Sequence, residues 1–389
     1  MKRLAFAALV FFAAASARAD EVTQPPPPPP PPSQPTPTHG ALLLPPLGQA
    51  APATAAGTSK LPIDIRPGLE IIAQYIYRNT TDPTGASTWF HDIELVRGHA
   101  SIDGTYRFSR ARMVLEAVRS ESEGALVGVA GDSLVVRIRE AWVGFHYPEH
   151  DTGGWGTEMR AGVVPTLTIP ELEGTWDLRA VTPVPLESTG LLAPADLGGT
   201  ATLKLPRGFG HVDVGLFDGE GYTNQELNRG KNLEMAATVH PFAYYKRAQP
   251  LAVFGSFVLG SSGTGLAQSN RATGGLLWQG QRVRAGTSFT YAWGYDDDGD
   301  QTGFLWDVFA RVEPIDRLIF GARAFYWVRD TRPTSEDSIA YVVGSAGYRI
   351  FDPLEVFAAV DRTIPTTLAE TALPGTDAWD LRVIAHVVF

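Results

Sequence analysis

The sequence predicts an all-β fold, a membrane-spanning barrel of sixteen antiparallel strands, and three observations support this. The final eleven residues alternate between the two faces of a strand and end on an aromatic residue, Phe389. Fifteen further strand candidates precede them, and single-chain bacterial barrels have an even number of strands. Short and long connections alternate between the candidates, as they do at the two ends of such a barrel.

The final strand shows the alternation most clearly. One face carries apolar side chains, and the other carries the polar residues Asp380, Arg382 and His386 together with Ile384 and Val388. An amphipathic final strand that ends on Phe resembles the terminal signature of bacterial outer-membrane barrels. For this segment alone, the edge strand of a soluble β-sandwich is an equal alternative.

Residues 1–19 are predicted to be a secretory signal. Lys2 and Arg3 precede an apolar region, residues 4–17, and Ala17-Arg18-Ala19 has the form of a cleavage site. The apolar region is too short for a membrane-spanning helix. Removing three basic residues and no acidic ones changes the net charge from −10 to −13, which argues against nucleic-acid binding. With no cysteine, a lipid-anchored cysteine and disulfides are excluded.

Residues 20–62 are predicted to be a low-complexity linker in the periplasm. The eight consecutive prolines from Pro25 to Pro32 favour polyproline II, and at ~3.1 Å per residue they would span roughly 25 Å. A spacer is favoured over a partner-binding motif. Residues 63–389 are then the barrel domain.

The sixteen strands are predicted from period-two alternation and turn signals. In residues 282–293 two arginines alternate with apolar side chains, and residues 354–361 alternate in the same way. The phase of one strand changes near Arg139–Glu140, which predicts a β-bulge. The predicted ranges are 69–79, 90–105, 109–120, 134–147, 156–167, 198–206, 210–218, 232–242, 250–260, 271–279, 282–293, 304–314, 317–328, 338–350, 354–363 and 379–389.

The predicted connections fall into two classes. With the N-terminus in the periplasm, the even-numbered connections should be short periplasmic turns and the odd-numbered ones long extracellular loops. A soluble sandwich has no reason to keep this order. The short ones are 107–108, 148–155, 206–210, 243–249, 280–281, 314–316 and 351–353. The long ones are 80–89, 121–133, 168–197, 219–231, 261–270, 294–303, 329–337 and 364–378.

Five short strings, in the same order along residues 90–222, resemble the phosphate- and polyphosphate-selective porins, porins O and P. They are Glu94–Thr105, Arg139–Phe145, Arg160–Pro165, Ala195–Gly199 and Val214–Tyr222. Beyond residue 222 the resemblance is architectural. It implies a trimeric sixteen-stranded porin in the outer membrane whose third loop folds inward, and basic residues on the wall and loop that bind anions.

The predicted strands carry more arginines than carboxylates, and most of these arginines alternate with apolar neighbours. Because a charge on the lipid face is costly, we expect them to line the pore. A basic wall attracts anions and acidic loops repel them, so only a small anion preference is expected. The alternative is that they pair with wall acids such as Glu116, Asp307 and Asp361 and stiffen the barrel. The pore-lining candidates are Arg97, Arg110, Arg112, Arg137, Arg139, Arg160, Arg282, Arg284, Arg311, Arg323, Arg349 and Arg382.

Arg282 and Arg284 give the sharpest prediction for the wall. Their spacing places both on the inner face of one strand, where they should raise the local anion concentration.

The third loop, residues 168–197, is the longest and is the predicted constriction. A barrel of sixteen strands is too wide to discriminate small solutes without one. Its acidic character differs from the basic phosphate sites of porins O and P. The alternative is a loop that lies over the mouth as a lid or a trimer contact. The constriction candidates are Glu171, Glu173, Asp177, Arg179 and Glu187, with Asp196 nearby.

The sequence predicts no enzyme, cofactor or metal site. Asp296, Asp298 and Asp300 have the spacing of a calcium loop, but Gln301 occupies the glycine position and the distal glutamate is missing, so a solvated turn is favoured. The histidines are scattered, and no HExxH, Gly-x-Ser-x-Gly or P-loop motif occurs. The expected protein is a passive outer-membrane porin for small hydrophilic solutes. Alternatives are a barrel hydrolase, with Ser or Asp beside His at the extracellular rim, and a soluble exported β-sandwich binding protein.

Overall fold

The computed structural model describes residues 63–82, 84–119, 133–147, 154–219, 221–223, 230–262, 266–295, 298–332, 337–366 and 377–389. The predicted signal and linker lie outside these residues. Sixteen antiparallel strands form one closed barrel in sequence order, which confirms the predicted fold class and excludes the two sheets of a sandwich. No helix in the described ranges is long and apolar enough to cross a membrane.

Every predicted strand is present, with ends shifted by a few residues. The barrel strands are β1 Ile63–Thr81, β2 Ser87–Tyr106, β3 Ser109–Arg119, β4 Leu134–Tyr147, β5 Gly156–Pro165, β6 Ala195–Leu205, β7 Gly210–Phe217, β8 Asn232–Val239, β9 Leu251–Leu259, β10 Asn270–Gln279, β11 Val283–Tyr295, β12 Asp298–Ile315, β13 Leu318–Asp330, β14 Asp337–Phe351, β15 Leu354–Pro365 and β16 Asp377–Val388. A two-stranded extension, Ser261–Ser262 with Ala267–Gln268, follows β9.

The prediction for one long loop was largely wrong. Residues 294–303 were expected to form a long connection, but β11 and β12 extend through most of this range and Tyr295 pairs with Asp298. Gly294, at φ +67°, accommodates a register shift that most other residues would resist. The two strands therefore extend beyond the rest of the sheet as a hairpin.

The first and last strands close the barrel. β1 and β16 pair antiparallel from Glu70 opposite Val388 to Thr81 opposite Asp377. The N–H of Phe389 also donates to the carbonyl of Leu69 at 2.8 Å. Closure leaves the sheet without an unpaired edge.

The two faces of the wall differ sharply in burial. Outward side chains are mostly apolar and exposed, as Leu381 and Val383 are in β16, whereas the inward Arg382 and Ile384 are buried. An exposed apolar surface of this extent needs lipid or another partner to cover it. Aromatic contacts occur at both ends of the wall, such as Trp89 with Trp379 near the long loops.

The bulge predicted in β4 is confirmed. The register of β3 and β4 shifts where Val114 faces Glu140 and Leu115 faces Ile138. As a result, the consecutive residues Arg139 and Glu140 both contribute side chains to polar contacts inside the barrel.

The connection between β5 and β6 folds into the barrel. It contains helices α1, Thr168–Trp176, and α2, Pro185–Ser188. Its apolar side chains form one buried cluster with inward residues of β1 and of β8–β16. Only a segment inside the ring can contact strands on so many sides of it. The loop members are Ile169, Leu172, Trp176, Leu178, Ala180, Val181, Val184, Leu186 and Leu191.

Candidate functional site

The candidate site is the space between this inward loop and the part of the wall that it leaves uncovered. The wall strands that pack on the loop present large apolar side chains, including Phe309, Phe325, Tyr341 and Phe357. On β3 to β7 many of the inward residues are charged, beside the buried apolar cluster of Trp142, Val164 and Phe217. Arg110, Arg112, Arg137, Arg160 and His211 keep about a third of their side-chain surface exposed there.

All twelve arginines predicted to line the pore form ion pairs with carboxylates. Six of the pairs are Arg97, Arg137 and Arg139 with Glu116, Arg110 and Arg112 with Asp103, and Arg160 with Glu158. The other six are Arg282 with Asp316, Arg284 with Asp177, Arg311 with Glu313, Arg323 with Asp307, Arg349 with Glu355, and Arg382 with Asp361. The acids named in the pairing alternative, Glu116, Asp307 and Asp361, are all among the partners.

Several of these arginines also hold the inward loop, a role that the sequence did not suggest. Arg284 donates to the Gly174 carbonyl at 3.1 Å, near the carboxyl end of α1, where a cation is favourable. Arg382 donates to the carbonyl of Val181 at 2.9 Å, and Arg323 to that of Pro183 at 3.3 Å. These wall residues therefore fix the loop backbone at three points.

Arg323 makes the most enclosed of these contacts. Its guanidinium binds Asp307 through two hydrogen bonds, at 2.7 and 2.9 Å. The rings of Trp176 and Phe309 lie 5.1 Å from the guanidinium carbon. A charge held in this way between wall and loop is paired and also stacked on aromatic faces.

Glu234 anchors the other end of α1 and was also missed. This buried residue of β8 accepts hydrogen bonds from the N–H groups of Leu167 and Thr168, each at 3.0 Å, and from the Thr168 hydroxyl at 2.6 Å. A carboxylate at a helix N-terminus satisfies otherwise unpaired N–H groups. The sequence did carry a signal for this anchor, because an acidic residue stands at an inward strand position between the apolar residues Leu233 and Met235.

The constriction candidates are inside the barrel but are largely neutralised. Asp177 lies 2.8 Å from Arg284, and Glu187 contacts both Arg97 and Arg179. Glu173 also contacts Arg179. The predicted acidic loop is therefore part of a mixed network that extends from the wall through the loop.

Two loop carboxyls have shifted pKa values in opposite directions. Burial raises the pKa of Glu173 to about 8, and the nearby Glu187 carboxylate adds to this increase. Burial also opposes ionisation of Glu171, but hydrogen bonds and charge from His211, with a hydrogen bond from Gln279, hold its pKa below the ordinary value. Glu171 therefore stays ionised near neutral pH, where Glu173 is mostly protonated.

We expect the loop to loosen as the pH rises through about 8. A carboxyl whose pKa is raised on folding contributes stability that is full below its ordinary value of 4.5 and is lost as the pH rises through the folded value. Ionised Glu173 and Glu187 would then repel each other across Arg179. Fluctuation of the ionic current through the reconstituted barrel should increase across this range. Glu173→Gln should remove the increase, and a Gln variant that keeps it would contradict this assignment.

Glu116 is the centre of a large polar cluster. It is fully buried and accepts from three arginines, from His99 at 3.1 Å and from the Tyr222 hydroxyl at 2.7 Å. Beyond His99, Glu70 contacts both His99 and His386, each at 3.0 Å. The network thus crosses the junction of β16 and β1.

A cavity of about 400 Å³ lies beneath the loop at the short-turn end of the barrel. Its lining mixes both signs of charge, with Arg311, Arg349 and His386 beside Asp177 and Glu355. The described lining therefore favours water and small charged solutes over apolar molecules.

The residues considered for metal binding and catalysis lie apart. Asp298 and Asp300 belong to β12, and Asp298 pairs with Arg332 at 3.0 Å, while Asp296 is outside the described residues. Across the described ranges, no group of three His, Asp or Glu side chains is arranged to hold a metal ion. His99, His211 and His386 contact carboxylates in the half of the barrel near the short turns.

Comparison with solved structures identifies outer-membrane porins as structural neighbours. The anion-selective porin from Comamonas acidovorans has 12% identity and a TM-score of 0.55, with 84% of this chain and 100% of that chain covered. Salmonella typhi OmpF, solved in complex with daunomycin, has 12% identity and a TM-score of 0.58, with coverages of 84% and 97%. Vibrio cholerae OmpT, in its trimer form, has 11% identity and a TM-score of 0.54, with coverages of 84% and 99%.

No protein-family model matches the sequence, and no curated protein matches it either. The structural likeness, at these low identities, concerns the fold. The chain therefore has the barrel fold of outer-membrane porins.

Proposed function

We propose that this protein is a passive, water-filled channel of the bacterial outer membrane for small hydrophilic solutes. The observation that carries the proposal is a closed barrel with an apolar exposed exterior, a charged inner wall on β3 to β7 and an inward loop that narrows the interior. Solutes would pass between the loop and this wall. No covalent chemistry or cofactor is needed for diffusion.

We base a proposed orientation on the lengths of the connections. Outer-membrane barrels have short turns in the periplasm and longer loops outside. Here the short-turn end includes residues 107–108, 316–317 and 352–353, and it is also the end from which β1 starts. We therefore place the N-terminus and any preceding linker in the periplasm.

The charge pairing supports weak ion selectivity. Arg282 lies in the exposed turn before β11 rather than on the inner face of a strand. The other eleven arginines lie on the wall, and as paired groups they give it far less positive potential than eleven free ones would. The partial exposure of Arg110, Arg112 and Arg137 supports a small preference for anions. Selection of phosphate would need a more basic constriction than the one formed by α1 and α2.

We also propose a homotrimer. The resemblance to porins O and P implies one, and Vibrio cholerae OmpT has been solved in a trimer form. A wide apolar exterior provides the surface that such contacts require, in addition to contact with lipid.

The test is insertion of the purified protein into planar bilayers. We expect ohmic single-channel currents, a modest reversal potential in a salt gradient, and a heat-modifiable band in the outer-membrane fraction. Recovery as a soluble periplasmic protein, or a folded barrel that carries no current, would contradict the channel. Hydrolysis of lipid or peptide by the folded barrel would favour the hydrolase alternative.

A further inference from the structure

The short-turn end of the barrel carries an unusual connection between β8 and β9, residues 240–250. Its backbone is held by successive hydrogen bonds, including Tyr245 N–H to Phe242 O and Ala248 N–H to Tyr245 O, both at 2.8 Å. The N–H of His240 also donates to Phe209 O in the neighbouring turn, again at 2.8 Å. The segment is therefore a compact, organised projection.

This projection exposes large aromatic side chains. Phe242, Tyr244 and Tyr245 are 42%, 60% and 68% exposed. Tyr244 is positioned by the neighbouring turn, since its ring lies 5.2 Å from that of Phe209 and its hydroxyl accepts from Arg207 at 2.8 Å. Aromatic rings that are both held in place and exposed are typical of a membrane–water interface.

The same surface carries three exposed cations, Arg207, Lys246 and Arg247. Neither turn, residues 206–209 or 240–250, contains an acidic residue. In the described part of the chain, these cations form no ion pair, unlike the twelve arginines that the sequence predicts to line the pore. The positive charge here thus remains available in a protein whose net charge is negative.

Exposed aromatic rings beside cations that form no ion pair fit one kind of partner, an anionic phospholipid. Rings insert at the headgroup level of a bilayer, and guanidinium and ammonium groups bind the phosphates of lipid headgroups. With the orientation proposed above, this end of the barrel meets the periplasmic leaflet, so the inference rests on the proposed function. The pairing of ring and cation favours lipid over a soluble anion, which would not cover the rings.

We propose that Arg207, Lys246 and Arg247, together with Phe242, Tyr244 and Tyr245, form a binding surface for anionic phospholipid in the periplasmic leaflet. This defined surface would bind the lipid phosphate at one position on the barrel circumference.

The test compares two charge-matched variants of the full chain. In the patch variant, Arg207, Lys246 and Arg247 are each changed to Gln. In the control variant, Arg107, Arg282 and Arg317 are each changed to Gln. These three also lie at the short-turn end of the barrel. Each protein is reconstituted with phosphatidylethanolamine alone or with added phosphatidylglycerol, and retained lipid is counted by native mass spectrometry. We expect several-fold less phosphatidylglycerol on the patch variant, and wild-type retention on the control variant.

Equal retention by the patch variant and the wild type would overturn the proposal, as would an equal loss in both variants, which would indicate net charge alone. A soluble muropeptide is added to a parallel sample, and its retention in place of lipid would also overturn the proposal. Single-channel current is recorded in parallel and should be unchanged in the patch variant. A conducting barrel without lipid preference would refute only this inference, whereas a folded barrel that does not conduct would refute the proposed function.

Discussion

Replacing residues 168–192 by a short Gly-Ser connection should increase single-channel conductance several-fold. The inward loop fills much of the interior, and its nine buried apolar residues pack against the wall. Without it, the pore should approach the width of an unobstructed sixteen-stranded barrel, and discrimination by solute size should weaken. Conductance and the exclusion limit for neutral polymers measure the two effects.

A matched deletion tests whether the effect belongs to the loop. The two-stranded extension, Ser261–Ser262 with Ala267–Gln268, follows β9 at the end of the barrel where the inward loop also begins, and it is a suitable control. Its removal should leave conductance unchanged.

A Glu234→Gln variant keeps the loop but weakens its anchor, and should increase current fluctuation rather than mean conductance. A loop deletion that folds, by heat-modifiable mobility, and conducts like the wild type would contradict the constriction.

Arg323→Met should be the most destabilising single substitution in the wall. Arg323 and Asp307 have 0% and 2% of their side-chain surface exposed, and their nearest atoms are 2.7 Å apart. Removing one partner leaves a buried charge uncompensated, at a cost of ~3–5 kcal/mol. Urea-induced unfolding in lipid vesicles, followed by tryptophan fluorescence, should show this decrease in the free energy of unfolding.

Two further variants make the second prediction specific. The double variant Arg323→Met with Asp307→Leu removes both charges and should recover most of the lost stability. Arg282→Ser breaks an exposed pair with Asp316, and such pairs contribute only ~0–1 kcal/mol. An Arg323→Met protein as stable as the Arg282→Ser protein would show that the buried pair contributes no more to stability than an exposed one.

The strands could be predicted because their signal is local. Each strand carries its own alternation, so Leu381 and Arg382 are assigned to opposite faces without knowledge of any neighbour. The bulge at Arg139–Glu140 also appears in the sequence as a change of phase. The extended hairpin of β11 and β12 was missed because acidic and glycine residues there have the composition of a loop.

The role of the wall arginines could not be predicted in the same way. Whether Arg137 faces Glu116 depends on the register between β3 and β4, which the bulge itself shifts. Arg284 and Asp177 meet only because a loop after β5 returns to β11. The alternation within each strand was therefore available from the sequence, while the partners of the inward side chains depended on the fold.

The pairing of β1 with β16 has a consequence for how the chain reaches its native state. Arg78 and Asp380 are joined by hydrogen bonds of 2.6 and 2.8 Å although they lie 302 positions apart in the chain. Contacts this distant in sequence carry a large loop-closure entropy and form late. Pairing of β1 with β16 should therefore be the slow, final step of assembly. An incomplete chain that lacks β16 would keep an unpaired sheet edge, which can pair with strands of other chains.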